Sequence, residues 1–261
     1  MKKKFVVRLQ IILLAGWAAA EAQSRKMVDL TYPFDRETLY WPTADGFRLK
    51  VESAGVTDKG YYYSANSFCA AEHGGTHIDA PIHFAKGQAT VDQIPLERLG
   101  APGVVIDVTK QCASDRDYLI SEKDLQRWED AHGRIGDGII VLLRTGWGKF
   151  YPDPREYLGT DRRGPEAVAE LHFPGLDPAA AKWLAGNRKI AAIGLDTASI
   201  DRGQSKLFGS HQALFQTGIP AFENVANLDQ LPETGFHIIA LPMKIQDGSG
   251  GPLRIIAIFG R

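Results

Sequence analysis

Five short apolar runs constrain the fold of this chain more tightly than any other feature. They are "GVVIDV" (103–108), "GIIVLLRTG" (138–146), "IAAIGLDT" (190–197), "FHIIALPM" (236–243) and "RIIAIF" (254–259). All are rich in β-branched residues and bounded by Gly, Pro or Asp, and their apolar character is continuous rather than alternating. That pattern predicts strands buried on both faces. Helical segments lie between them. "SEKDLQRWEDAHG" opens on Ser121 as an N-cap and stops near Gly133. "DPAAAKWLAGN" opens on Asp177 and Pro178, a cap followed by a first-turn proline. Strands and helices mixed in this way imply an α/β fold around a largely buried mixed sheet, in a single domain over 27–261.

The N-terminus reads differently. "MKKKFVVR" is a positive n-region and "LQIILLAGWAAA" an apolar core too short for a comfortable membrane span. "AEA" at Ala20–Ala22 fits a small-x-small cleavage pattern, so residues 1–22 read as a signal peptide and the protein as exported, periplasmic or secreted. Translation from Met27 would instead give a cytoplasmic protein. The two cysteines, Cys69 and Cys112, give no reason to expect a disulfide, and both read as buried, inert thiols. Cys69 lies close enough to the histidines described next to approach them. A net charge of −1 supplies no basic field for nucleic acid or an acidic membrane, and suits a small-molecule partner.

From Trp147 to Pro174 the chain is aromatic, charged and punctuated by Pro and Gly. Such a stretch reads as a long excursion between two core strands, serving as a lid, an oligomer contact or mere covering.

The chemistry concentrates in "EHGGTHIDAPIHF", residues 72–84. His73 and His77 have the four-residue spacing of helical metal motifs, but Gly74 and Gly75 between them each cost a helix roughly 1 kcal/mol, and Pro81 blocks its continuation. An extended chain places His73, His77, Asp79 and His83 on one face. His77 and Asp79 then stand about 7 Å apart, but His73 and His83 about 33 Å apart. For all of them to meet, the chain must bend at Gly74-Gly75 and Ala80-Pro81. Two imidazoles and a carboxylate suit Zn²⁺, Mn²⁺ or Fe²⁺, and an incomplete shell suits catalysis, leaving His83 to move protons. The same residues would also serve a hydrogen-bonded polar loop without a metal.

"HGGTHIDAPIHF" resembles the H-x-G-T-H-x-D-x-P-x-H signature of the cyclase-like metal-dependent hydrolases, which include bacterial kynurenine formamidase and isatin hydrolase. The resemblance extends through "DLTYPFDRETLYWP", "LLRTGWGKFY", "HFPGLDPAAAKWLA", "IGLDTASIDRGQS", "GIPAFENVANLDQLP" and "ALPMKIQDGSGGPLR". It implies a swivelling β/β/α fold and a homodimer or larger homo-oligomer. By position it makes His73, His77 and Asp79 metal ligands and His83 the general acid/base. His211 and Glu223 match a second metal position of the formamidase branch, so the implied cofactor is one or two ions of manganese or zinc per subunit. Trp41, in "YWP", matches an aromatic of the substrate pocket, and is equally readable as a core tryptophan.

Arg144 and Asp196 sit at strand ends: Arg144 reads as a carboxylate binder, a dimer contact or a structural ion pair, and Asp196 as a site residue or a turn cap. His132, His172 and His237 fall outside the matching motifs and are assigned no role.

The implied activity is hydrolysis of a C–N amide bond in a small aromatic or cyclic substrate. The long 147–174 segment favours an isatin-hydrolase type, opening isatin to isatinate. Ala80, where a bulky aromatic is expected in that branch, speaks against it. Kynurenine formamidase activity on N-formylkynurenine is the alternative, and a non-catalytic metal- or ligand-binding protein, or an exported structural one, are others.

Overall fold

The computed structural model describes residues 26–259, so the signal-peptide reading lies outside the described residues. The strands are β1 (Met27–Asp29), β2 (Arg48–Val56), β3 (Tyr62–Cys69), β4 (His77–Asp79), β5 (Gly100–Asp107), β6 (Leu119–Ile120), β7 (Ile140–Arg144), β8 (Gly175–Leu176), β9 (Ala192–Leu195), β10 (Ala221–Glu223), β11 (Phe236–Pro242) and β12 (Gly250–Phe259). The helices are α1 (Leu96–Leu99), α2 (Thr109–Ser114), α3 (Glu122–His132), α4 (Pro154–Leu158), α5 (Pro178–Asn187) and α6 (Gly209–Phe215). Among the described residues no helix is long and apolar enough to cross a membrane.

The main sheet runs β1-β12-β11-β5-β7-β9-β10-β4, and β4 also pairs with β12. Seven strands therefore close into a ring, with β1 attached outside it on β12. Strands β5, β7, β9 and β10 are parallel to their neighbours in that series, whereas β4, β11 and β12 pair antiparallel. Mixed pairing of this kind fits the α/β expectation. Alternation sorts the side chains into two cores. Val105, Ile140 and Leu142 join Ile78, Phe222, Ile238 and Ile255 inside the ring. Val104, Ile106, Val141, Leu143, Ile193 and Leu195 face outward, under Leu125 and Trp128 of α3, Ala181 and Leu184 of α5 and Leu214 of α6.

Both helices expected from the sequence form with the expected caps. Asp124 accepts from the Ser121 N–H and hydroxyl at the start of α3, and Asp177 accepts from Ala179 N–H at the start of α5. Two-sided burial holds for β7 and β9, whose residues are buried except Arg144. It fails for β11 and β12, where His237, Leu241 and Arg254 are exposed. The reason is topological: an antiparallel pair needs no crossover helix, so one of its faces can remain open to water.

The 147–174 excursion builds a core of its own. Trp147, Tyr157, Leu158, Leu171 and Phe173 pack with Leu39. The buried Tyr157 hydroxyl lies 3.0 Å from Asp196 O and 2.9 Å from Asn224 Oδ1, fixing the excursion to the ends of β9 and β10. β2 and β3 form a separate hairpin, with a bulge between Val51 and Ser53 and most of its residues exposed.

Candidate metal centre and active site

β4 is three residues long and belongs to two ladders. Glu223 lies opposite His77 on one side, and Gly250 lies opposite Asp79 on the other. Strand alternation sends Ile78 into the ring, fully buried, and turns His77 and Asp79 the other way.

The chain bends on both sides of β4, where the glycines and proline allow it. Gly74 bridges to Tyr40, and a Cβ there would lie 2.0 Å from the Tyr40 ring. Gly75 has φ +56°, the left-handed region that glycine tolerates best. After Ala80 a 3₁₀ turn over Pro81–His83 carries His83 back, so that its ring stacks on His73 with centroids 3.8 Å apart and planes 18° apart. His211 reaches the cluster from α6. Ile200 N–H donates to Glu223 Oε1 at 2.7 Å and orients that carboxylate. The six polar residues expected at the site therefore come together.

Their hydrogen bonds show what is missing between them. His77 Nδ1–H donates to Gly75 O at 2.9 Å, and His211 Nδ1–H donates to Asp201 Oδ2 at 2.7 Å. His73 Nε2 stands 2.9 Å from Ser249 Oγ. With these outer nitrogens engaged, the inner nitrogens all face carboxylates. His73 Nδ1 is 2.7 Å and His77 Nε2 3.1 Å from Asp79 Oδ1, while His211 Nε2 is 3.1 Å from Asp79 Oδ2. Glu223 lies 3.5 Å from His77 Nε2 and 3.3 Å from His211 Nε2. His77 Nε2 is buried without a hydrogen-bond partner.

Unprotonated nitrogens facing carboxylates are acceptors facing acceptors, an arrangement costly unless protons or a cation lie between them. The ionisation equilibria point the same way. Burial opposes charge on His77 and His211, yet the carboxylates outweigh it and raise both, His211 well above the ordinary value. Burial also opposes ionisation of Asp79, but the surrounding histidines hold its pKa well below normal. Glu223 is raised, first by burial and then by Asp79. Imidazole and carboxylate donors of this geometry fit a divalent cation. Groups of possible ligands comprise His77, Asp79 and Glu223, and also His73, Asp79 and His83.

The cluster forms the floor of a cavity of about 290 Å³. Its walls are Leu39, Trp41, Phe84, Leu158 and Phe208, with Thr43, Ser199 and Asn224 as polar groups. Trp41 lies on the wall, its ring 6.4 Å from Phe173 and 6.3 Å from Phe208. Phe208 has φ +49°, a left-handed conformation unusual for a bulky residue. His83 is exposed on the cavity side, yet the protein packed about the rest of its ring pushes its pKa down to about 4, opposed by Asp79 and helped by the other histidines. Its imidazole is thus neutral and able to take a proton.

The remaining candidates have structural explanations. Arg144 donates to Asp107 and to the Leu228 and Leu231 carbonyls. Asp196 accepts from Thr145 N–H and hydroxyl and from Gly146 N–H, capping the turn after β7. Neither lines the cavity. His132 pairs with Glu233 and His172 with Asp117, and His237 is exposed on β11; all lie away from the cavity. Cys112 is buried, but Cys69 is exposed at the end of β3, against expectation, because that hairpin stands clear of the core. Sequence reasoning assigned no role to Asp201, Glu72 or Ser249. Their only signal was polar residues and glycines inside "IDRGQS", "AEHGG" and "DGSGG".

The chain is similar to known proteins in sequence and in fold. The family model "Putative cyclase" matches residues 28–202. Isatin hydrolase of Roseibium aggregatum is 36% identical over 207 residues, which are 76% of this chain and 76% of the relative. Kynurenine formamidase of Polaromonas naphthalenivorans is 29% identical over 238 residues, 91% of this chain and 93% of the relative. The solved structure of isatin hydrolase A from Ralstonia solanacearum superposes with a TM-score of 0.81 at 34% identity, covering 90% of this chain and 92% of that one.

Proposed function

The chain belongs to the cyclase family, and from that membership we propose that it is a metal-dependent hydrolase opening the C–N amide bond of a small, uncharged aromatic ring system, as in isatin to isatinate. One observation carries the choice of substrate. The cavity above the histidine–carboxylate floor is walled by apolar and aromatic side chains, and among the described residues none that lines it is Lys or Arg. N-formylkynurenine brings a zwitterionic amino-acid group into this space, and none of the described lining side chains is a Lys or Arg that could pair with its carboxylate. A flat, neutral lactam needs no such partner, and Trp41, Phe84 and Phe208 offer it ring faces and edges.

Manganese or zinc would be held by His73, His77, Asp79, His211 and Glu223. A bound divalent cation polarises the scissile carbonyl and lowers the pKa of water. Two positions are supported by the division of Asp79, whose Oδ1 faces His73 and His77 and whose Oδ2 faces His211. His83 accepts a proton from the attacking water and returns it to the leaving nitrogen. The stack on His73 holds its ring in place for both transfers.

Protein reconstituted with Mn²⁺ or Zn²⁺ should hydrolyse isatin with a kcat/KM at least about tenfold above that for N-formylkynurenine, the cost of leaving one carboxylate without a partner. Steady-state assays of both substrates check this. A higher value for N-formylkynurenine would sink the isatin-type reading.

The chain is also proposed to act as a homodimer. An isolated two-stranded hairpin is marginal in water, yet β2 and β3 expose Leu49, Val51, Tyr62 and Phe68. A second copy covering these side chains would account for them. Sedimentation of the metal-loaded protein at micromolar concentration should give about twice the chain mass, and Phe68→Glu should shift it to the monomer. A monomeric parent would remove the proposal.

A further inference from the structure

"DGSGG", Asp247–Gly251, takes no part in the ligand set, yet it is built against His73. A Cβ on Gly248 would stand 2.8 Å from Glu72 Oε1, and one on Gly250 would stand 2.6 Å from His73 Cε1. Glycine alone lets the backbone lie this close to both side chains. Ser249 is pinned between them. Its N–H and its hydroxyl both donate to Glu72 Oε2, at 3.0 and 2.6 Å, and its carbonyl accepts from Ala80 N–H at 2.9 Å. Because the hydroxyl proton is committed to the carboxylate, it is an Oγ lone pair that faces His73 Nε2 at 2.9 Å. His73 Nε2 is then the donor to Ser249 Oγ, and Nδ1 is the nitrogen turned toward Asp79, 2.7 Å from Oδ1.

We propose that Glu72 and Ser249 are positioning residues. They fix the tautomer and plane of the His73 ring and, through the 3.8 Å stack, the plane of His83. Neither residue lines the cavity, so neither touches substrate. The inference rests on the reading of His73 as a metal ligand. Outer partners of this kind orient a ligating imidazole and raise its basicity.

The test is zinc affinity, measured by competition with a chromophoric chelator, together with the His73 tautomer read by ¹⁵N NMR of the zinc-loaded protein. Ser249→Ala should weaken zinc binding roughly 10- to 100-fold, and Ser249→Thr, which keeps the hydroxyl, should restore most of it. The NMR spectrum should show His73 protonated at Nε2. Unchanged zinc affinity in Ser249→Ala, with only the melting temperature of the metal-free protein lowered, would mean a merely structural role and would overturn the proposal. So would an Nδ1–H tautomer in the unsubstituted protein, a readout that does not depend on any variant folding. Asp79→Asn serves as the control. If it too binds zinc as tightly as the parent, the ligand reading fails and the proposal with it; if Ser249→Ala alone is unaffected, the proposal fails by itself.

Discussion

Asp79→Asn should leave a folded chain that no longer retains divalent metal through desalting and that hydrolyses isatin at least about 10³-fold more slowly, the loss of several kcal/mol of Lewis-acid stabilisation. The carboxylate is the hub of the site, because its two oxygens face the inner nitrogens of His73, His77 and His211. An amide at this position replaces one acceptor oxygen with a donor. A histidine lone pair that faced a carboxylate then receives an N–H, and the repulsion that favours a cation becomes a hydrogen bond. Elemental analysis after desalting measures the first effect. Thermal unfolding gives an independent second measure. Zinc at 100 times its Kd should raise the parent's melting temperature by roughly 5–10 °C, and the variant should lose most of that increment. A variant that retains its metal and its increment would show that Asp79 is not a ligand.

His83→Ala should separate chemistry from metal binding. The ring lies over the floor of the cavity and is the sixth polar member of the cluster, but unlike the other three histidines it has no outward anchor among the described hydrogen bonds. A neutral imidazole free of such a bond suits proton transfer better than ligation. Removing it should lower kcat by about 10²- to 10⁴-fold, the range for loss of a general acid/base, with KM and metal content near those of the parent. His83 also falls in one group of possible ligands, with His73 and Asp79, which makes metal content the deciding measurement. Loss of metal along with activity would assign His83 to the ligand set. Full activity in the variant would remove it from the reaction.

The local parts of this site were legible in the sequence, and the distant parts were not. Parity alone put His77 and Asp79 on one strand face, and the glycines and Pro81 marked where the chain turns. Both long helices were readable from their caps, because Ser121 and Asp177 act on residues only two or three positions away. His211 and Glu223 could be placed only through the family resemblance, since nothing near them in the chain encodes that β10 lies against β4. Ser249 is 176 residues from His73, and no periodicity announces a pairing at that distance. The strands β4 and β10, each three residues long, are too short to carry a pattern of their own. β11 and β12 misled for a different reason. Their residues are as apolar as those of β7, but burial of the second face depends on whether a helix crosses it, and that is decided by the connection rather than by the strand.

One consequence follows from the way the ring closes. β4 is the joint where the two ends of the strand series meet, β10 on one side and β12 on the other. It carries His77 and Asp79 on one face and Ile78 on the other, so the same three residues serve the barrel's seam and its chemistry. Retuning such an enzyme for another metal or substrate by changing these residues also changes the fastening of the fold. The wall residues Trp41, Leu158 and Phe208 come from outside the seam, and variation can be explored there without loosening it.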